Sequence, residues 1–164
     1  MHGTRAIMSR TLHIFAPEKT GRRRMRTIQI ATTPREIARC FSVMCQLRPL
    51  LMEEEFFARI QAQQVEGFQL AFLEHEAAVV SVAGFRIQNI LSSGKTLYVD
   101  DLVTDAAARS QGHGEAMLQW LIALAREAGC DTFSLDSGTQ RQDAHAFYLR
   151  QRLRITSFHF SLRL

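Results

Sequence analysis

Apolar residues at 117, 120, 121, 124 and 128 fall on one face of a helix over 115–128, which Gly129 closes. A second stripe at 37, 40, 41, 44 and 47 comes after Thr33-Pro34-Arg35-Glu36. There Thr serves as N-cap, Pro takes the first helical position and Glu completes a capping box. Arg48-Pro49 should end that helix. The next begins at Glu53-Glu54-Glu55, whose carboxylates suit the positive end of the helix dipole, and Gly67 separates it from the strand-like segment at 68–72. Other strand-like segments occupy 27–31, 97–104, 131–135 and 157–163, and the last alternates cleanly. The Val-rich run 77–87 reads as a buried strand between turns at His75-Glu76 and Ser92–Lys95, and a short helix starts at about Asp143. The predicted order β-α-α-β-β-β-α-β-α-β describes an α/β (α+β) domain, a mixed sheet with helices on its faces.

Composition supports one globular domain: 164 residues, 46% apolar and 22% charged, with only three Pro. No apolar run is long enough to span a bilayer, so no membrane partner is expected. Cys40, Cys45 and Cys130 are odd in number and lack metal or redox spacing. They read as free thiols of a reducing compartment, which implies a cytoplasmic protein. No histidine, cysteine or carboxylate set has ligand spacing with a third member, so no metal is expected. The net charge of +4 is a local feature. Residues 1–24 hold six basic side chains against Glu18, whereas the other 140 residues hold fourteen basic against fifteen acidic. Residues 1–24 are therefore expected to form a basic, disordered extension, and 25–164 the single domain. Met25 directly precedes the first strand, so the arm also reads as an upstream extension rather than a presequence or a nucleic-acid arm. The near-neutral remainder argues against nucleic acid as a partner.

Chemistry concentrates at Arg109-Ser110-Gln111-Gly112-His113-Gly114, between the strand at 97–104 and the helix at 115–128. Two glycines where a loop feeds a helix N-terminus let backbone N–H groups and the helix dipole converge on an anion, as a phosphate requires. A dinucleotide fingerprint is excluded: seven residues, 105–111, separate strand from glycine, and its third small position falls on Met117. No Gly-Lys-Ser/Thr is present, which excludes a nucleotide P-loop.

Arg109-x-x-Gly112-x-Gly114 after an acidic strand resembles the acetyl-CoA loop of the GNAT superfamily of N-acetyltransferases. A second block, Ala144-x-x-Phe147-Tyr148 followed by Leu153, is similar to the family's later signature, with Arg141 and Arg152 where that signature has Asn and Gly. The resemblance implies a mostly antiparallel sheet with helices on both faces and two strands splayed at an acetyl-CoA cleft. It implies that the backbone of Ser110, Gln111, Gly112, His113 and Gly114, with Arg109, holds the pyrophosphate. Leu102, Val103 and Thr104 would pair with the pantetheine arm, an N–H near Val103 would face the acetyl oxygen, and Arg141 would join the donor site.

Acetyl transfer also needs a base for the amine and a proton donor for the departing thiolate. Tyr148 is the expected donor. The resemblance makes Asp100 the expected base ahead of Asp101, since it stands, by spacing from Arg109, where polyamine acetylases of the superfamily carry a glutamate. Alternation turns the two to opposite faces, so at most one looks into a given site. His113 is expected to contribute its backbone, and His145 and His159 to be structural. Cys40 lies on an apolar face, so direct attack by the amine is expected rather than a cysteine intermediate. The implied acceptor is a small-molecule or peptide amine, and homodimers are common in the family. The alternative is a non-catalytic acyl-CoA-binding regulatory module, which Arg141 and Arg152 would suit.

Overall fold

The computed structural model describes residues 26–164, together with the backbone of a short strand, β1 (Leu12–Ile14). The rest of the expected disordered extension lies outside the described residues. After β1 come β2 (Arg26–Ile30), α1 (Pro34–Met44), α2 (Glu53–Val65), β3 (Phe68–His75), β4 (Ala78–Ile90), β5 (Gly94–Thr104), α3 (His113–Glu127), β6 (Thr132–Leu135) and α4 (Gln142–Arg150). The strands form one sheet in the order of the chain. Every neighbouring pair is antiparallel except β5 with β6, which are parallel and joined through α3. No helix among the described residues is long and apolar enough to cross a membrane.

Local chemistry starts these elements where the pattern places them. The Thr33 side chain accepts from the Glu36 N–H while the Glu36 carboxylate accepts from the Thr33 N–H, so the capping box closes. The backbone N–H groups of Thr32 and Thr33, both donating to the carboxylate, hold the Glu36 carboxyl below its ordinary pKa. The apolar stripe of α1 buries Ile37, Cys40, Val43 and Met44, and with Phe56 and Ile60 of α2 it covers Leu70, Phe72, Val82 and Val103. On the other face Met117, Trp120 and Leu121 of α3 pack on Phe85, Leu97 and Val99. The sheet is thus sandwiched between two cores.

Two irregularities of β5 shape the centre of the molecule. The ladder with β4 pairs Val99 with Phe85 and Asp101 with Gly84, so Asp100 is an extra, bulged residue. The ladder with β6 runs only from Thr96 to Val99, and beyond it the outer edge of β5 has no strand beside it among the described residues. The two parallel strands therefore part just where the bulge falls, which is the expected cleft.

The predicted closing strand at 157–163 does not form. Residues 153–164 enter no ladder, and Phe158, Phe160 and Leu162 stand 83%, 90% and 84% exposed. Alternation declares that one side of a segment wants burial but not which strand will supply it. The tail comes after Arg152, which takes φ +65° where the family pattern has glycine, a costly geometry for a side chain with a Cβ. One contact ties it back: His159 Nδ1 lies 2.9 Å from Asp136 Oδ2 at the end of β6.

Candidate active site

The glycine loop is built as a backbone cradle. Ser110 and Gly112 both take positive φ, +61° and +79°, with Gly112 as the N-cap of α3. No side chain caps the first turn of α3, so its N–H groups face outward. Gly114 packs closely: a Cβ there would meet Thr104 Oγ1 at 2.9 Å, so one of the two would have to shift. Glu115, whose charge would oppose an anion, is drawn toward α4 by Gln151 Nε2 at 3.1 Å. The His113 ring is buried against the His75 ring, centroids 5.1 Å apart, so only its backbone belongs to the cradle. Arg109 bends back toward the Thr104 carbonyl. Sequence reasoning missed Arg26: from β2 its Nη2 donates to the Gln111 carbonyl at 2.9 Å and brings a guanidinium to the loop. Eighty-five residues separate the pair, and no local pattern marks it.

The edge of β5 opens at the same end. The Asp105 N–H donates to the Val80 carbonyl and the Val103 carbonyl accepts from Ser81 Oγ, so residues 103 and 105 turn their polar backbone toward β4. By alternation the groups aimed into the cleft belong to Leu102 and Thr104, one residue to either side of the expected Val103.

The bulge changes the expectation for the carboxylates. Strict alternation would separate Asp100 and Asp101, but the inserted residue turns both side chains to the α1/α2 face. Asp100 is clamped by Arg86, Nε to Oδ2 at 3.0 Å, and Arg86 lies over the Phe68 ring. Asp101 pairs with Arg48 at 2.7 Å, and only 15% of its side chain is exposed. Burial raises the Asp101 carboxyl above its ordinary pKa, and Arg48 only partly offsets this. Gly84 makes the room: a Cβ there would collide with the Phe68 ring and come within 3.1 Å of Asp101 Oδ2.

Asp101 also lines a cavity of about 450 Å³ under the α1–α2 connection, and Asp100 does not. Met44, Leu47, Leu51, Phe56, Ile60 and Phe68 supply its apolar wall, and Arg48, Arg59 and Gln63 its other polar groups. Glu53 and Glu54 stay exposed outside this lining, as helix-start charges would, while Glu55 binds Arg59 at 2.7 Å. Arg48 was legible only as a helix stop.

From α4, Tyr148 is half-buried, and its hydroxyl has no hydrogen-bond partner among the described residues. Burial raises its pKa while the Arg141 charge opposes the rise, so the phenol stays protonated at neutral pH. Arg141 is not drawn to the glycine loop: its Nη2 reaches the carbonyl of Leu47, a residue of the cavity lining, 3.4 Å away. His145 is held by the Gly138 carbonyl at 3.0 Å. Cys40 is fully buried and donates to the Glu36 carbonyl, and burial pushes its thiol up to about 12, far from nucleophilic. Among the described residues no group of three or more His, Cys, Asp or Glu could hold a metal ion.

The profile of the acetyltransferase (GNAT) family matches residues 32–152, from the α1 cap to the turn after α4. This chain belongs to the GNAT acetyltransferase family. A relative in Bacillus subtilis (strain 168), the uncharacterized N-acetyltransferase YhdJ, is 36% identical over 118 residues, 71% of this chain and 83% of its own. The aminoalkylphosphonate N-acetyltransferase of Salmonella typhimurium (strain LT2) is 35% identical over 66 residues, 40% of this chain and 43% of its own. Among solved structures, the aminoglycoside N-acetyltransferase AAC(6')-Iy in complex with CoA superimposes with a TM-score of 0.77. It covers 88% of this chain and 98% of its own at 11% identity, a likeness of fold. As a GNAT N-acetyltransferase the protein transfers an acetyl group to an amine.

Proposed function

We propose that acetyl-CoA is attacked directly by an amine seated in the 450 Å³ cavity, with Asp101 receiving the amine's proton and Tyr148 protonating the departing thiolate. The observation that carries this is the bulge at Asp100, which turns Asp101 into the cavity just where β5 parts from β6. The α3 N-terminus and its Arg26-braced loop offer donors to the pyrophosphate. The free edge at Leu102 and Thr104 can pair with the pantetheine arm as an added strand. One N–H of that edge faces the thioester oxygen as charge develops there. The ammonium gives one proton to Asp101 and becomes the attacking amine. A C–N bond forms and the C–S bond breaks. The nitrogen then gives up a second proton that makes good the one Tyr148 lends the thiolate, and Asp101 returns its proton to solvent.

An alkylamine is protonated in water up to a pKa near ~10, whereas even a raised carboxyl titrates far lower. Asp101 therefore acts once the cavity has shed water from the ammonium, directly or through one bridging water. Asp100, held by Arg86, positions the bulge. The finer readings rest on the same geometry. A cavity of this volume suits a small-molecule amine, and a small aminoalkylphosphonate named for the Salmonella relative agrees. Three free thiols suit the cytoplasm. The non-catalytic alternative finds no support, since a cavity ending on a buried carboxylate is more than donor binding requires.

Calorimetric titration with acetyl-CoA, run beside Gly112→Asp, tests the donor site. Loss of binding in the variant is expected, and no binding to the folded wild type would end the proposal. An amine screen then includes Tyr148→Phe, expected to lower kcat about tenfold to a hundredfold with the KM for acetyl-CoA nearly unchanged. An unchanged kcat would remove Tyr148 from the chemistry.

A further inference from the structure

We infer that the acceptor is a zwitterionic amine with an apolar body, an apolar amino acid by chemical class, whose ammonium and carboxylate replace the two halves of the Arg48–Asp101 ion pair. This rests on the proposal that Asp101 receives the amine. In the cavity Asp101 is not bare. Arg48 Nε lies 2.7 Å from Oδ1, and Arg48 Nη2 also donates to the Asp100 carbonyl at 3.2 Å. An amine that takes Oδ1 displaces that guanidinium.

The pair is lopsided. The Arg48 side chain is 54% exposed and the Asp101 side chain 15%, so Arg48 is the half that swings away. Asp101 then needs another cation at once, because a buried carboxylate left alone is costly, and the incoming ammonium supplies it. Arg48 in turn loses its partner beside an apolar wall. A bare alkylamine leaves it so, whereas an acceptor carrying a carboxylate next to its amine pairs it again, with bidentate geometry open to the guanidinium. Binding then exchanges one ion pair for two.

The apolar part of the wall, which shares the cavity with Arg48, Arg59 and Gln63, favours an apolar body for the acceptor. Leu47, Leu51, Phe56, Ile60 and Phe68 offer no side-chain hydrogen-bond partner. Sugar hydroxyls placed against them would be stripped of water without compensation, whereas an aromatic or branched aliphatic side chain gains by the same burial. A volume of about 450 Å³ lies in the usual range for a small-ligand site.

The test is the steady-state release of CoA thiol by the full chain at saturating acetyl-CoA. The acceptors are phenylalanine, its methyl ester, phenethylamine, 2-aminoethylphosphonate and glucosamine. Phenylalanine is expected to have the highest kcat/KM, exceeding the ester and phenethylamine by about tenfold or more, the scale of a hydrogen bond to a charged group. Arg48→Gln should reduce that ratio to about twofold or less, and Arg48→Lys should restore part of it. The ester comparison needs no variant, so it stands even if Arg48→Gln folds poorly. Preference for phenethylamine, glucosamine or the phosphonate overturns the inference, as does a ratio that Arg48→Gln leaves unchanged. Turnover of any other amine without phenylalanine sinks this inference alone. Failure of acetyl-CoA to bind sinks the acetyltransferase proposal beneath it.

Discussion

Asp101 holds a charge in a place that resists it, and this one residue links stability to activity. Its folded pKa is raised, so protonation of Asp101 stabilises the folded chain. That contribution is full below the ordinary aspartate value and is lost as pH rises through the folded one. Asp101→Asn mimics the protonated form. It should therefore melt higher than wild type at pH 7, and the gap should close in melts run down through the raised pKa. In activity the sign reverses: kcat/KM should fall about a hundredfold or more, and the acid limb of its pH profile, displaced above the ordinary aspartate range, should disappear. Asp100→Asn should lose less than about tenfold, since Arg86 already holds that carboxylate. An equal loss at both positions would return the base to Asp100. The sequence located this acidic pair and placed Asp100 first, an order the proposal reverses. Period-two reasoning assumes one residue opposite one, and a bulge is a property of two strands that neither displays alone.

At the scale of elements, the segments best read in advance were those whose signals are local. The α1 cap is written in four consecutive residues, and the glycines of the α3 N-terminus announce their geometry. The closing strand failed because its partner had to come from elsewhere in the chain. Arg26 and Arg48 escaped notice because each acts on a residue at least fifty positions away. Arg152 offers a direct test of local cost. Its φ of +65° ends α4 through a left-handed turn whose N–H still reaches the Leu149 carbonyl, at 3.0 Å. Arg152→Gly keeps that turn and removes the Cβ conflict, which costs about 1–2 kcal/mol in this region. Part of the gain is returned through the freer unfolded chain, so a net stabilisation of about 0.5–1 kcal/mol is expected. In a chain of this size that raises Tm by roughly 1–4 °C, readable by calorimetry. A lower Tm would show that the Arg152 side chain does more for the tail than its backbone costs.

The described molecule is a sheet clamped by two cores, α1 and α2 on one face and α3 on the other, with the proposed donor cleft where β5 and β6 part. Such a split weakens the sheet where β5 has lost its outer partner, and the donor is shaped to fill that gap. Acetyl-CoA should therefore act as a missing strand: it binds the folded state alone, bridges the β5 edge and the α3 N-terminus, and stabilises the entire domain. At a concentration a hundred times its Kd the linkage is about 2.7 kcal/mol, or a Tm rise of roughly 5–10 °C for a domain of this length. Gly112→Asp places a carboxylate and a strained φ of +79° in the phosphate cradle, so it should abolish the shift while the ligand-free protein still unfolds cooperatively. Hydrogen exchange separates this from binding at the loop alone. The amides of Leu102 and Thr104 should gain protection with acetyl-CoA, and that of Val103, already turned toward β4, should change least. Protection confined to the α3 N-terminus, with the β5 edge exchanging as before, would mean that the arm of the donor takes another path out of the cleft.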